Sequence, residues 1–264
     1  GIDVDKNNIY LDTDGLIVSG TENTQNTWMD VKFAGKAVTP RNGKAVEVNS
    51  LWYNANEIMA ELSLKFGHLM SAKKYKELAK KCKKSFTEKF YNKKTKCLYD
   101  VLGDSKIRPN QLFALSLSHP IVDNAEIAEQ VLNTVENKLL NKYGLKTLSS
   151  DEDGYVDVYE GSAYRRDSSY HQGITWPWLL GLYYDALKNT MIIEKNRTKR
   201  QELEEKITKL VYTTKETFKA EMFERSSIGT ISEIYDSTEP YEERGAFAQA
   251  WSVAEIFRIV LNKR

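Results

Sequence analysis

Apolar residues recur at three- and four-residue spacing along most of this 264-residue chain. That rhythm puts hydrophobic side chains on single faces of helices, so the core must be built mainly from helices. Val48, Leu51, Trp52, Ala55, Ile58, Met59, Leu62 and Phe66 predict one helix with these residues as its apolar face. Tyr75, Leu78, Cys82, Phe86 and Phe90 predict a second, and Leu112, Leu115 and Ser116 a short one after Pro109. Ile127, Ala128, Val131, Val135 and Leu139 predict a helix that stops by Gly144. Three more are expected through Trp176–Leu187, Leu203–Met222 and Ala250–Leu261. Strand signals are confined to Tyr10–Val18 and Gly229–Tyr235, which read as short ribbons.

Between these helices lie three long polar segments rich in aromatic residues, Ser19–Glu47, Ser149–Gly173 and Ser226–Phe247. Loops of such length are uncommon in compact domains unless they carry function. Helices alternating with long loops suit an all-α, α/α toroid with a site at one rim. No linker or low-complexity tract interrupts residues 1–264, so the chain reads as a single domain. No repeat of fixed period appears.

Composition narrows the partners. The formal net charge is +1, and no Lys/Arg stripe is interleaved with aromatics, which argues against nucleic acid. The Lys-rich stretch Lys73–Lys96 reads as the solvated face of a helix rather than a membrane-binding one. No apolar run approaches the roughly 20 residues of a membrane span, and no signal peptide opens the chain. Two cysteines, Cys82 and Cys97, make no disulfide framework, so reduced thiols in a cytoplasmic protein are expected. His68, His119 and His171 lie in no metal-ligand spacing, and neither a metal nor a cofactor is expected. The 5 Trp and 15 Tyr, several beside carboxylates, point to sugar rings, whose C–H faces lie on aromatic planes while acids and amides bond the hydroxyls.

Three constellations carry the chemistry. In Thr27-Trp28-Met29-Asp30, an acid follows an aromatic; desolvation of such an acid raises its pKa and fits it for proton donation. Downstream, Pro40-Arg41-Asn42-Gly43 turns into a helix with Glu47 in its first turn. On the motif alone, capping accounts for Asp30 and Glu47 better than catalysis does. The second constellation is Tyr170-His171-Gln172-Gly173-Ile174-Thr175-Trp176-Pro177-Trp178, whose density of polar-tipped rings favours a binding wall over plain core. The third offers Glu233, Asp236 and Glu239 before the last helix, any of which is placed to activate water, or simply to be a solvated acidic loop. Arg108-Pro109-Asn110-Gln111 is a smaller signal, either a sugar contact or a helix cap.

Taken in order, Asp14-Gly15-Leu16, Thr27-Trp28-Met29-Asp30, Thr39-Pro40-Arg41, Gly43-Lys44, Val46-Glu47, Leu51-Trp52-Tyr53-Asn54, Arg108-Pro109-Asn110-Gln111, Gly144-Leu145, Thr147-Leu148, Tyr170-His171-Gln172-Gly173, Trp176-Pro177-Trp178 and Gln249-Ala250-Trp251-Ser252 resemble the C-terminal glucosidase domain of glycogen debranching enzymes. The resemblance runs from about Asp14 to Arg258. It implies an (α/α)6 toroid of the six-hairpin type and inverting hydrolysis of α-1,6-linked glucose from debranched glycogen or limit dextrin. By motif, Asp30 falls on the general acid and Glu233 on the general base, with Asp236 and Glu239 close by. Trp28, Arg41, Glu47, Trp52, Asn110, Tyr170, His171, Gln172 and Trp176 would line the sugar pocket. Family members carry further helices before the Asp-Gly-Leu segment. The expectation is therefore an incomplete toroid, a C-terminal fragment of a longer chain with some apolar helix faces uncovered. Two other readings are a toroid α-glucosidase of another linkage, such as α-1,4 or trehalose, and a non-catalytic glucan-binding module.

Overall fold

The computed structural model describes residues 8–225 and 228–261. Ser226 and Ser227, which open the third expected loop, lie outside the described residues. Eight α-helices and eleven two- or three-residue strands are found among those described. The backbone packs as two compact units, residues 1–105 with 110–131, and residues 106–109 with 132–264.

In the first unit, strands β1 (Tyr10–Leu11) and β2 (Ile17–Val18) pair antiparallel. Their turn is held from both sides: Asp14 Oδ1 accepts from the Leu16 amide, and Lys44 Nζ lies 2.6 Å from Asp12 and 2.7 Å from Asp14. Strands β3 (Lys32–Phe33) and β4 (Lys36–Ala37) form a second hairpin about Ala34 and Gly35, both at positive φ as a tight two-residue hairpin turn requires. Helices α1 (Val46–Lys65) and α2 (Leu69–Lys89) make an antiparallel pair. Gly67, at φ +78°, lets the chain reverse after α1, and the His68 amide returns to the Ser63 carbonyl at 2.7 Å. Strands β5 (Tyr91–Asn92) and β6 (Cys97–Leu98) follow as a hairpin. A 3-10 turn (Pro109–Leu112) then leads into the four-residue α3 (Phe113–Ser116). Helix α4 (Ala125–Lys138) is divided between the units after Val131.

Helix α1 forms where the sequence predicts it, but it buries the other face. Leu51, Met59, Leu62 and Phe66 are exposed, while Asn49, Ser50, Asn56, Ala60 and Ser63 are buried. The reason is local satisfaction. Ser50 Oγ donates to the Val46 carbonyl, Asn56 Nδ2 to that of Trp52, and Asn49 bridges the Ala45 carbonyl to both backbone groups of Ile17. Small side chains whose donors return to their own helix bury at reduced cost, with Asn56 Oδ1 the atom of this set that meets no partner among the described residues. Facing them, α2 contributes Ala72, Ala79, Cys82 and Phe86, with Phe86 stacked on Phe90 at 4.2 Å. Both thiols are buried, and burial, with Asp14 adding to it, pushes Cys82 up to about 12.

The second unit contains a five-stranded antiparallel strip in the order β11 (Glu243–Arg244), β10 (Ile234–Tyr235), β9 (Thr175–Trp176), β8 (Gly144–Lys146), β7 (Leu140–Asn141). Of these five strands only β10 falls within a ribbon expected from the sequence, Gly229–Tyr235; β1 and β2 of the first unit form the other, Tyr10–Val18. The helix expected from Trp176 instead begins at Leu179 as α6 (Leu179–Ile193), because Pro177 cannot donate and Thr175–Trp176 pair with β8 and β10. A short helix, α5 (Ala163–Ser169), capped by the Ser162 hydroxyl, lies inside the second long loop. Helix α7 (Arg197–Glu224) starts at Asn196, whose side chain accepts from the Thr198 and Lys199 amides. Its buried Leu203, Ile207, Leu210 and Phe218 pack with α6 and with α8 (Ala250–Leu261). Tyr143 stacks on Tyr235 at 4.4 Å with Phe218 edge-on to it. No described helix is long and apolar enough to cross a membrane.

Candidate active site

The predicted site residues divide between the units, and each group forms its own arrangement. In the first unit, Trp28, Met29 and Asp30 lie in the loop before β3. Met29 is buried and Asp30 exposed. The Trp28 indole donates to Asn110 Oδ1 at 2.7 Å, and Asn110 Nδ2 donates to Asp100 Oδ1 at 2.8 Å. Asp100 in turn accepts from Arg41 Nε at 2.6 Å and Nη2 at 3.0 Å. The other edge of the guanidinium meets both oxygens of Glu47. A continuous run of hydrogen bonds thus connects the Trp28 loop to the first turn of α1. Burial alone would lower the Arg41 pKa; Asp100 and then Glu47 outweigh it and raise it further. Two carboxylates gripping one buried guanidinium by forked contacts fix geometry more than they add stability.

Arg41 and Glu47 therefore stand as a buried frame behind Trp28 and Asn110, with their polar atoms engaged by each other and by Asp100. Trp52, half-buried on α1, has an indole N–H that meets no hydrogen-bond partner among the described residues. Asp100 was not visible as a site residue. It ends a Cys-Leu-Tyr-Asp segment with no local mark, and only the long-range pairing with Arg41 gives it meaning.

In the second unit the aromatic run makes a connected wall. Trp176 is buried, with His171 nearly parallel at 5.3 Å and Tyr170 edge-on at 4.8 Å. Trp251 of α8 stands edge-on to Trp176 at 5.7 Å and parallel to Trp178 at 5.1 Å, and it keeps 38% of its surface exposed. Tyr159 lies 5.6 Å from Tyr170, its phenol held up by burial. Behind the wall, Arg108 fastens the turn. It donates to the carbonyls of Thr147 and His171 at 3.0 and 2.7 Å and to Gln172 Oε1 at 2.7 Å. Neither Trp251 nor Arg108 stood among the predicted site residues, although both lie in motifs the sequence displayed.

The three acidic candidates of the last loop meet different fates. Asp236 is buried, one oxygen accepting from the Tyr159 amide at 2.7 Å and the other from Arg244 at 2.8 and 3.0 Å. Glu239 is exposed beside Pro240. Glu233 is half-buried and sits at the wall, where its Oε1 accepts from the Tyr170 hydroxyl at 2.6 Å and Gln249 Nε2 at 3.1 Å. Its Oε2 accepts from the Ala246 amide at 2.9 Å. A carboxylate beside aromatic rings, held by donors yet open to solvent, has the chemistry to take a proton from water. Among the described residues no group of three or more His, Cys, Asp or Glu side chains is placed to hold a metal ion.

Comparison with known proteins decides the family, since residues 2–258 match amylo-alpha-1,6-glucosidase. The chain belongs to the amylo-alpha-1,6-glucosidase family. It is 25% identical over 224 residues to the glycogen debranching enzyme of Saccharomyces cerevisiae, a match covering 67% of the chain and 14% of that protein. The chain thus spans about a seventh of the length of this curated relative. In fold it resembles a sialidase, with TM-score 0.62, 13% identity, and coverage of 89% of this chain and 22% of that one. It also resembles a GH63 mannosylglycerate hydrolase from Thermus thermophilus, with TM-score 0.54, 11% identity, and coverage of 83% and 45%. Helix-rich glycosidases are therefore its structural company.

Proposed function

We propose that this chain is the catalytic part of an inverting glycoside hydrolase that removes α-1,6-linked glucose from debranched glycogen or limit dextrin. The observation that carries the reading is the Glu233 carboxylate, held at the aromatic wall by Tyr170, Gln249 and the Ala246 amide, in a member of the amylo-alpha-1,6-glucosidase family. On this reading the helices are of the (α/α)6 type, Asp30 is the general acid and Glu233 the general base. Asp30, protonated, donates to the glycosidic oxygen as the bond to C1 breaks. Glu233, ionised, takes a proton from the water that attacks C1 on the opposite ring face, and β-glucose leaves. Room for that water requires the two carboxyls to stand roughly 6.5–9.5 Å apart, against about 5 Å for a retaining pair.

The test is a limit dextrin digest followed by proton NMR from the first seconds. β-Glucose should appear before mutarotation supplies the α anomer. Asp30→Asn and Glu233→Gln should each lower kcat by about 10²–10⁴-fold, the usual worth of a general acid or base, with the far-UV spectrum unchanged. Full turnover by Glu233→Gln would remove the base, and α-glucose as first product would remove inversion. A parallel panel of α-1,4-linked disaccharides and trehalose checks the linkage.

A further inference from the structure

Glu233 has two oxygens, and the structure treats them differently. Oε1 accepts from Tyr170 Oη at 2.6 Å and from Gln249 Nε2 at 3.1 Å. A carboxylate oxygen offers two lone-pair directions, so two donors fill it. Among the described residues Oε2 accepts from one group, the Ala246 amide at 2.9 Å. The same turn is pinned again, because the Glu233 amide donates to the Ala246 carbonyl at 2.9 Å. The residue between strand β11 and this amide is Gly245, at φ +68°. A Cβ placed there would stand 2.4 Å from Oε2 and 3.2 Å from the Glu233 Cβ. No carboxylate could keep its position against such a methyl, and the backbone conformation is itself one that L side chains avoid.

We propose that Tyr170 and Gln249 are positioning residues that saturate Oε1, and that Gly245 clears the space beside Oε2, leaving this oxygen alone to accept the proton of the attacking water. The inference rests on the reading of Glu233 as the base and deepens it. In the step, one water O–H bond breaks, its proton goes to Oε2, and the water oxygen bonds to C1 as the leaving oxygen departs with a proton from Asp30. Tyr170 then acts on the reaction through the carboxylate as well as standing in the aromatic wall. Gln249, one residue ahead of α8, ties the start of that helix to the base.

The experiment uses the intact protein with α-glucosyl fluoride, whose leaving group needs little protonation, so the water-activating half of the reaction is read by itself. Tyr170→Phe and Gln249→Ala should each lower kcat about tenfold, since a hydrogen bond to a charged group is worth about that factor. KM should change less than kcat. Gly245→Ala should lower kcat further while glucose still binds, as measured by calorimetry. Far-UV spectra control for folding. If Glu233→Gln is inactive while Tyr170→Phe and Gln249→Ala keep the wild-type kcat, or lose no more in kcat than in KM, the positioning inference is overturned and the base stands. If Glu233→Gln keeps wild-type turnover, the base assignment itself fails, and the inference with it.

Discussion

At the scale of single residues, the second unit holds one carboxylate in an unusual state. Glu221 of α7 is buried, accepts from the Tyr235 hydroxyl at 2.9 Å, and lies close to Glu243, while Arg225 reaches Glu243 at 3.0 Å and Glu221 only at 3.7 Å. Burial, followed by the neighbouring Glu243, pushes Glu221 up to about 7. A carboxyl whose folded pKa lies above its unfolded one favours folding in its protonated form. Its contribution is complete below the unfolded value near pH 4.5 and is lost as pH rises towards 7. Glu221→Gln, neutral at every pH, should therefore raise the urea midpoint at pH 8 and leave it little changed at pH 5. An equal shift at both pH values would show that Glu221 is not proton-linked to folding. Residue-scale chemistry was only partly legible in the sequence. The aromatic run showed in neighbours a few positions apart, whereas Asp30 and Glu233 stood out from other acids only through the resemblance. The clamp on Arg41 needs Asp100, 59 positions on, and such pairings leave no local trace.

Among the elements, helices were readable because periodicity is a local property, and α2, α7 and α8 lie close to where apolar spacing puts them. The buried face of α1 was not readable. Periodicity identifies the apolar stripe, whereas which stripe is covered depends on what packs there, and small side chains allowed the polar face to meet α2. Apart from β1, β2 and β10, which fall in the expected ribbons, the short strands were equally hidden, since a strand that short has no period. Capping offers a cleaner element-scale test. Helix α7 runs for 28 residues, and its first free amides are satisfied by Asn196 Oδ1, which accepts at 2.9 and 3.2 Å. Asn196→Ala should cost about 1 kcal/mol in chemical denaturation, and Asn196→Asp should cost much less, as both polar residues cap well. A loss equal for the two would mean the side-chain oxygen is not what starts the helix.

For the whole molecule, the family assignment and the chain's partial coverage of its relatives place the weight of the functional reading on chemistry divided between two compact units. The first unit holds the exposed Asp30 on a loop braced by buried ionic contacts, and the second holds Glu233 against an aromatic wall. Cys82 and Cys97 both belong to the first of these units, and neither is open to solvent. A thiol must be exposed and ionised to react with a disulfide reagent, so labelling waits for local opening. In native buffer the protein should label far more slowly than a model peptide thiol, and prompt labelling of both would contradict their burial. Nature has in this way placed its only two chemical reporters in one half of the molecule, so a simple colorimetric reaction would time the loosening of the acid-bearing part and stay silent about the other.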